Sequence, residues 1–128
     1  MVEHKKKPKL TYFNLYARGE AIRMLLHHKK VDFEDEIINP ADWSKLKRSG
    51  RFPQEQLPVF ETEDGTVLHQ SAAIIRYLGM VYGYYPEDPE QAYWCDWSID
   101  TVNDAMRKNP HSFLYNEKSI TDLEAMKK

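Results

Sequence analysis

The fold of this chain is decided by residues 57–72, which read LPVFETEDGTVLHQSA. Leu57–Thr62 and Thr66–His69 are two short runs rich in apolar and β-branched residues, and the Asp64-Gly65 pair between them is a strong signal for a hairpin turn. Ser71 follows as a side chain that can cap a helix, and apolar spacing extends this helix to about residue 82. The stretch therefore predicts a β-hairpin that leads directly into a helix, which is a ββα unit.

Strand and helix signals alternate upstream of this unit. Lys9–Asn14 is short, apolar and aromatic, which is typical of a strand, and Arg18–Lys30 carries apolar residues at helical spacing. A second strand is predicted over Val31–Ile37, with its odd-numbered residues on one face. Asn39 then offers a helix cap before a proline, so Pro40–Lys47 predicts a short helix. The predicted order is β-α-β-α-β-β-α.

A βαβ unit followed by a ββα unit is the thioredoxin-like arrangement, an α/β fold with a mixed four-stranded sheet. We expect this domain over residues 8–83. Residues 84–89 are expected to form a linker, because Pro86 and Pro89 block a continuous helix. Residues 90–128 predict a truncated all-α segment, the start of a helical domain.

The first helix of that segment has two faces. We call its apolar face the tryptophan stripe, which consists of Trp94, Trp97, Thr101, Val102 and Ala105. It is too apolar to face water, so we expect a partner chain or the first domain to cover it. The other face carries Asp96, Asp100 and Asp104, and like charges at this spacing repel, so the row is either solvated or paired with a cation.

Composition excludes several classes of protein. Lys and Arg total 18 against 20 Asp and Glu, which argues against a nucleic-acid binder that neutralises phosphates. Apolar runs of membrane-spanning length and signal-peptide features are both missing, so we expect no membrane insertion and a cytoplasmic location. The single cysteine, Cys95, excludes an internal disulfide. His27 and His28 are adjacent and make a poor metal pair on a helix, so we predict no metal.

Several segments together resemble one family. Thr11–Asn14 reads TYFN, Arg18–Arg23 reads RGEAIR, and Leu68–Leu78 reads LHQSAAIIRYL; Ala41–Trp43 and Leu57–Val59 continue the match. In this order the segments are similar to sigma-class glutathione transferases, which include the glutathione-dependent prostaglandin D synthases. The resemblance covers about residues 8 to 105. It implies glutathione as co-substrate and an unknown electrophile as its reaction partner.

The resemblance also implies roles for individual residues. Tyr12 matches the catalytic tyrosine whose hydroxyl favours the glutathione thiolate, and Arg18 matches the arginine that supports it. Leu57-Pro58 resembles a cis-proline turn whose backbone pairs with the cysteinyl part of glutathione, while Asp104 matches an aspartate that reaches the site of the other subunit in a dimer. The full implied set of glutathione contacts is Tyr12, Arg18, Trp43, Lys47, Gln56, Leu57, Pro58, Gln70, Ser71 and Asp104.

Each of these residues also has a plainer interpretation. A strand tyrosine can simply pack on a sheet face, Pro58 can be an ordinary trans proline, and Ser71 can be only a helix cap. Trp43 as a core anchor and Lys47 as a surface charge compete equally with a role at the glycyl end of glutathione. The loop over residues 51–58 is two residues longer than is usual in the family, which could displace contacts with glutathione.

Three functions compete on these grounds. The leading hypothesis is a glutathione transferase that catalyses conjugation or isomerisation, as a homodimer or with another partner chain. The alternative is a non-catalytic glutathione-transferase-like module that serves as a structural or docking subunit of a larger assembly. A thiol oxidoreductase on the same fold is weaker, because the first strand does not end in a cysteine.

Overall fold

Strands and helices follow one another in the predicted order. The structure is a computed structural model and describes residues 6–108. Its elements are β1 (Lys9–Phe13), α1 (Glu20–His28), β2 (Glu34–Ile38), α2 (Pro40–Lys47), β3 (Val59–Glu61), β4 (Val67–His69), α3 (Ser71–Val81) and α4 (Pro89–Lys108). The predicted α/β fold is confirmed, as is the short helix over residues 40–47. The rest of the predicted helical segment, residues 109–128, lies outside the described residues.

The sheet is mixed, with the strand order β2-β1-β3-β4. β1 runs parallel to β2 and antiparallel to β3, while β3 and β4 form the antiparallel hairpin. The hairpin closes through the Thr62 amide, which donates to the Thr66 carbonyl at 2.9 Å, and Gly65 takes a left-handed φ of +88° in the turn. The Asp64-Gly65 signal is thereby confirmed. This topology places the ends of β1 and β4 beside the start of α3.

The core lies between the sheet and the two helices α1 and α3. Its fully buried side chains are Leu10, Ile22, Leu26, Phe60, Ile74 and Leu78. Burying a side chain of this size contributes roughly 1.5–3 kcal/mol, so this cluster supplies the main force that holds both helices on the sheet. In contrast, α2 buries none of its residues. It is therefore free to present its side chains at the edge of the domain.

Two details of the predicted elements were wrong. β2 begins only at Glu34, and along it Ile38 is buried whereas Ile37 is 47% exposed. Val31 and Phe33 pack against the core from the loop that precedes β2. The core-facing positions are therefore odd-numbered in the loop, whereas Ile38 is the core-facing residue at the end of the strand. Ser71 is also not the helix cap. Gln70 holds that place with φ +72°, and its carbonyl accepts from the Ile74 amide at 2.9 Å, so the helix starts one residue earlier.

Ionic contacts fasten α4 to the first domain. Arg76 on α3 donates to Asp96 at 2.7 Å and to Asp100 at 2.9 Å, and the Tyr85 hydroxyl donates to Asp96 at 2.9 Å. Two carboxylates of the acidic row therefore have a cationic partner. The third, Asp104, is 65% exposed and lies 3.8 Å from Arg107.

The large side chains of the tryptophan stripe are about half exposed. Trp94 is 54% exposed and Trp97 is 49% exposed. Within residues 6–108, the expectation that the first domain covers the stripe was therefore wrong. Cover by a partner chain stays a prediction.

Candidate functional site

One large cavity opens where the end of β1, helix α2, the loop before β3 and the start of α3 meet. We call it the main cavity; its volume is about 520 Å³. Its wall consists of Phe13, Arg18, Trp43, Lys47, Glu55, Gln56, Leu57, Pro58, His69, Gln70, Ser71 and Arg107. Eight of the ten residues that the sequence assigns to glutathione lie in this wall, although they come from distant parts of the chain.

One side of the main cavity is the turn before β3. The Leu57-Pro58 peptide bond is cis, which decides the question that the sequence left open. Pro58 is buried, while Leu57 stays partly exposed at the cavity surface. Because β3 begins only at Val59, residues 56–58 lie outside the strand ladder. Their backbone is therefore placed to pair with an extended ligand as an added strand would.

The opposite side is the N-terminus of α3. Ser71 is the first residue of this helix and lies in the cavity wall beside Gln70. The first amides of a helix have no partner within the helix, and together with the helix dipole they favour an anion. The Nε2 group of Gln70 donates to Oε1 of the Gln54 side chain at 3.1 Å. Nδ1 of His69 is buried without a partner among the described residues.

A row of aromatic rings runs behind the main cavity. Ring centroids are 5.6 Å apart for Tyr12 and Phe13, 5.8 Å for Phe13 and Trp43, and 5.4 Å for Trp43 and Phe52. Phe52, from the loop between α2 and β3, is only 3% exposed. This loop is therefore anchored by a buried ring that packs against Trp43. Lys47, one helical turn after Trp43 on α2, also lies in the main cavity wall.

Tyr12 lies beneath this surface and is not part of the cavity wall. It is 4% exposed, and its ring packs so closely on Gly19 that a Cβ there would lie 2.3 Å from Cδ1. Burial raises the pKa of the Tyr12 phenol above its usual 10.0. The backbone amides of Arg18 and Gly19 oppose this rise by hydrogen bonding, as do the charges of Arg18 and Arg23. Since the pKa is raised overall, the hydroxyl stays protonated at neutral pH and can act as a donor.

The charge around the main cavity is mainly positive. Arg18, Lys47 and Arg107 are cationic, against the single carboxylate of Glu55. Arg18 also donates to the side-chain oxygen of Asn103 at 3.4 Å, which links the cavity wall to α4. Asp104 is not in the wall, and its expected role toward another subunit stays a prediction.

Sequence reasoning missed four residues of the wall, which are Phe13, Glu55, His69 and Arg107. Phe13 and His69 directly adjoin residues that the sequence singled out. Arg107 lies one helical turn after Asn103, but this spacing is informative only once the face of α4 that meets the cavity is known. Within residues 6–108, neither a three-residue His, Cys, Asp or Glu cluster suited to a metal nor a helix able to cross a membrane is found.

A second, smaller groove adjoins the main cavity. It has a volume of about 240 Å³ and shares Arg18 and Ser71 with the main cavity. Its surface is mostly apolar, and the residues that α4 contributes to it are Ser98, Ile99, Val102, Asn103 and Met106. An apolar groove beside a polar, cationic cavity is suited to hold two different molecules next to each other.

Several known proteins are similar to this chain in sequence. The family described as "Glutathione S-transferase, N-terminal domain" matches residues 8–80. Hematopoietic prostaglandin D synthase of Gallus gallus is 38% identical over 102 residues, which cover 80% of this chain and 50% of that protein. Glutathione S-transferase 1 of Ascaris suum is 42% identical over 98 residues, 77% of this chain and 46% of that protein.

Solved structures give the same result. The glutathione S-transferase from Ascaris lumbricoides has a TM-score of 0.69 at 40% identity, over 79% of this chain and 48% of that one. This chain spans about half the length of the curated relatives that it matches.

Proposed function

Because the chain belongs to the glutathione S-transferase N-terminal domain family, we propose that it binds glutathione in the main cavity and activates the thiol for conjugation or isomerisation. The observation that carries the proposal is the wall of that cavity, which gathers eight residues expected to contact glutathione. We further propose a sigma-like class, with residues 8–83 as the glutathione-binding domain, 84–89 as the linker and 90–128 as part of the helical domain.

The three parts of glutathione match three sides of the main cavity. The γ-glutamyl carboxylate is placed at Gln70 and Ser71, where the α3 N-terminus favours an anion. The cysteinyl backbone pairs beside the cis Leu57-Pro58 bond, and the glycyl carboxylate lies at Trp43 and Lys47. With two carboxylates and one ammonium, glutathione is an anion at neutral pH, which suits a wall in which cations outnumber acids.

Thiol activation needs only a modest free energy. Lowering the thiol pKa by about 2 requires roughly 2.7 kcal/mol in favour of the thiolate. In this proposal the Tyr12 hydroxyl donates a hydrogen bond to the sulfur, and the cationic Arg18 adds to the stabilisation. In this role Tyr12 acts as the neutral phenol, because a phenolate would repel a thiolate instead of stabilising it.

The electrophile is proposed to lie in the apolar groove between α1, α3 and α4. This places it next to the sulfur position, since both cavities share Arg18 and Ser71. We also propose that a partner chain, in a homodimer or larger assembly, covers the tryptophan stripe, because its two indole rings are about half exposed. A cytoplasmic location fits the proposal, since the cytosol keeps a reduced glutathione pool.

Titration calorimetry with glutathione tests binding, and Tyr12→Phe tests activation. The variant should bind glutathione nearly as well as the wild type, because Gln70, Ser71 and Lys47 remain. Its rate of conjugating a generic electrophile should fall by roughly ten- to a hundredfold, which corresponds to about 1.4–2.7 kcal/mol. Tyr16→Phe is the matched control, since Tyr16 is 75% exposed in the following loop and is not in the main cavity wall.

Two results would contradict the proposal. If no heat of binding is detected at millimolar glutathione, the chain is the non-catalytic structural or docking module. If wild type and Tyr12→Phe bind glutathione and turn over equally, the site binds but does not activate the thiol.

A further inference from the structure

A buried cation, Arg23, packs against Tyr12 and is not part of the main cavity wall. Arg23 is 7% exposed, which is rare for arginine unless it is paired. Its Nε donates to the two Asp35 carboxylate oxygens at 2.9 and 3.2 Å, and Nη1 lies 3.5 Å from Glu20. The Asp35 contacts join α1 to β2. The contacts with Asp35 and Glu20 use only some of the hydrogen-bond donors of the Arg23 guanidinium.

The remaining donors of Arg23 hold the loop between β1 and α1. Nη2 donates to the Phe13 carbonyl at 2.9 Å, and Nη1 donates to the Leu15 carbonyl at 3.3 Å. Phe13 directly follows Tyr12 in the chain and lies in the main cavity wall. The planar fork of arginine can make these bonds together, whereas a lysine ammonium cannot match the geometry.

The same guanidinium faces the Tyr12 ring. Its Cζ lies 5.5 Å from the ring centroid, within the range of a cation–π interaction. Gly19 lies one helical turn before Arg23, and the Arg23 amide donates to the Gly19 carbonyl at 3.2 Å. Because Gly19 has no side chain, its backbone lies directly against the Tyr12 ring. The first turn of α1 thus touches Tyr12 at two points. The ring has little room to turn elsewhere, since it is 4% exposed.

We propose that Arg23 is the positioning residue of the site: it fixes the loop that follows Tyr12 and holds the Tyr12 ring in the orientation that thiol activation needs. The catalytic part of this inference rests on the proposed function, whereas the effect on Tyr12 itself does not. Arg23 touches neither the main cavity nor the proposed electrophile groove, so it acts only through Tyr12 and its loop.

The charges around Tyr12 predict pKa shifts of opposite direction for two different substitutions. Arg18 and Arg23 are the cations that favour a phenolate, while Asp35 and Glu20 offset Arg23. Removing Arg23 should therefore raise the pKa of Tyr12. Removing the charge of Asp35 leaves Arg23 in place and less neutralised, so this change should lower the pKa. A residue whose charge does not reach Tyr12 would give neither shift.

Fluorine NMR provides a titration that is specific for Tyr12. A fluorotyrosine at position 12 has a more acidic phenol, which brings the titration into the range where the chain is folded. Arg23→Met should raise its pKa by roughly 0.5–1, and Asp35→Asn should lower it by roughly 0.3–0.7. Arg23→Lys keeps the charge and should recover at least half of the rise. Arg51→Met, the matched control, loses an ion pair to the same strand and should leave Tyr12 unchanged.

A second measurement connects the inference to turnover. Arg23→Met should leave the KM for glutathione nearly constant and lower kcat about three- to tenfold, because Lys47, Gln70 and Ser71 lie on other elements while the Tyr12 hydroxyl loses its orientation. If the protein neither binds nor activates glutathione, the proposed function fails while the titration still tests Arg23.

The inference is overturned if Arg23→Met leaves the Tyr12 titration unchanged, or if Asp35→Asn shifts it upward. Should Arg23→Met fail to fold, Arg23→Lys and Asp35→Asn decide alone. In that case an Asp35→Asn titration equal to that of the wild type rejects the positioning role.

Discussion

Replacing Gly19 with alanine adds one methyl group at the place where α1 meets Tyr12. The new Cβ would lie 2.3 Å from Cδ1, 2.5 Å from Cγ and 2.9 Å from Cε1 of the Tyr12 ring. Carbon atoms in contact are normally about 3.5–4.0 Å apart, so the ring or the helix must retreat by more than about 1 Å. Tyr12 is 4% exposed and cannot turn into free space. The clash therefore has to be relieved by moving packed elements.

The magnitude follows from two opposing effects. Overpacking of this kind typically costs about 1–3 kcal/mol. Gly19 has φ −85° and ψ −15°, which alanine adopts readily, and the reduced freedom of the unfolded chain returns about 0.4–1 kcal/mol. We expect a net loss of about 1–2 kcal/mol in the free energy of unfolding. For a domain of this size, that lowers Tm by roughly 4–15 °C.

Urea and thermal unfolding monitored by circular dichroism measure this loss. Gly79→Ala is the matched control, because Gly79 lies within α3 and its added Cβ would lie 3.4 Å from Tyr85, an ordinary contact. The control should be neutral or more stable than the wild type, since alanine favours a helix interior. A Tyr12→Ala change in the Gly19→Ala background should remove the clash and give a favourable coupling between the two sites.

If Gly19→Ala is as stable as Gly79→Ala, the added methyl group does not clash with Tyr12. Additive effects of Gly19→Ala and Tyr12→Ala would contradict the clash too, since they would locate the cost elsewhere.

Two further predictions concern the elements that frame the site. Hydrogen bonds from Arg76 and, to a smaller extent, from the Tyr85 hydroxyl hold the pKa of the Asp96 carboxyl below its usual 3.8. The ionised Asp96 carboxylate therefore stabilises the folded state fully above pH 3.8, and this stabilisation is lost as the pH falls through the lower pKa of the folded state. Asp96→Asn should make the acid limb of the unfolding free energy shallower, and an unchanged slope would reject the role of this pair. Phe52→Ala should cost about 3–5 kcal/mol and alter Trp43 fluorescence, because the 3% exposed ring packs on the indole. Wild-type stability of Phe52→Ala would contradict this packing role.

Local sequence signals determined most of the elements. The Asp64-Gly65 turn and the Asn39-Pro40 start of α2 depend on neighbouring residues alone, so they could be recognised without any tertiary contact. The Asn39 side chain indeed accepts from the Ala41 amide at 3.0 Å. The order of elements then left few topologies, and the thioredoxin-like one was predicted correctly. The candidate site followed because the resemblance aligned its residues one by one.

Contacts between distant segments were decided only by the tertiary structure. The buried face of β2, the pairing of Arg76 with Asp96, and the burial of Arg23 all join residues from different elements, for which periodicity carries no signal. Gly19 looked like an ordinary helix-start residue until the Tyr12 ring was placed against it. Sequence periodicity reports which face of an element is apolar, whereas packing decides which residue that face meets. The positions of Tyr12 and its neighbours are set by that packing, because a close contact depends on two segments whose separation only the folded chain fixes.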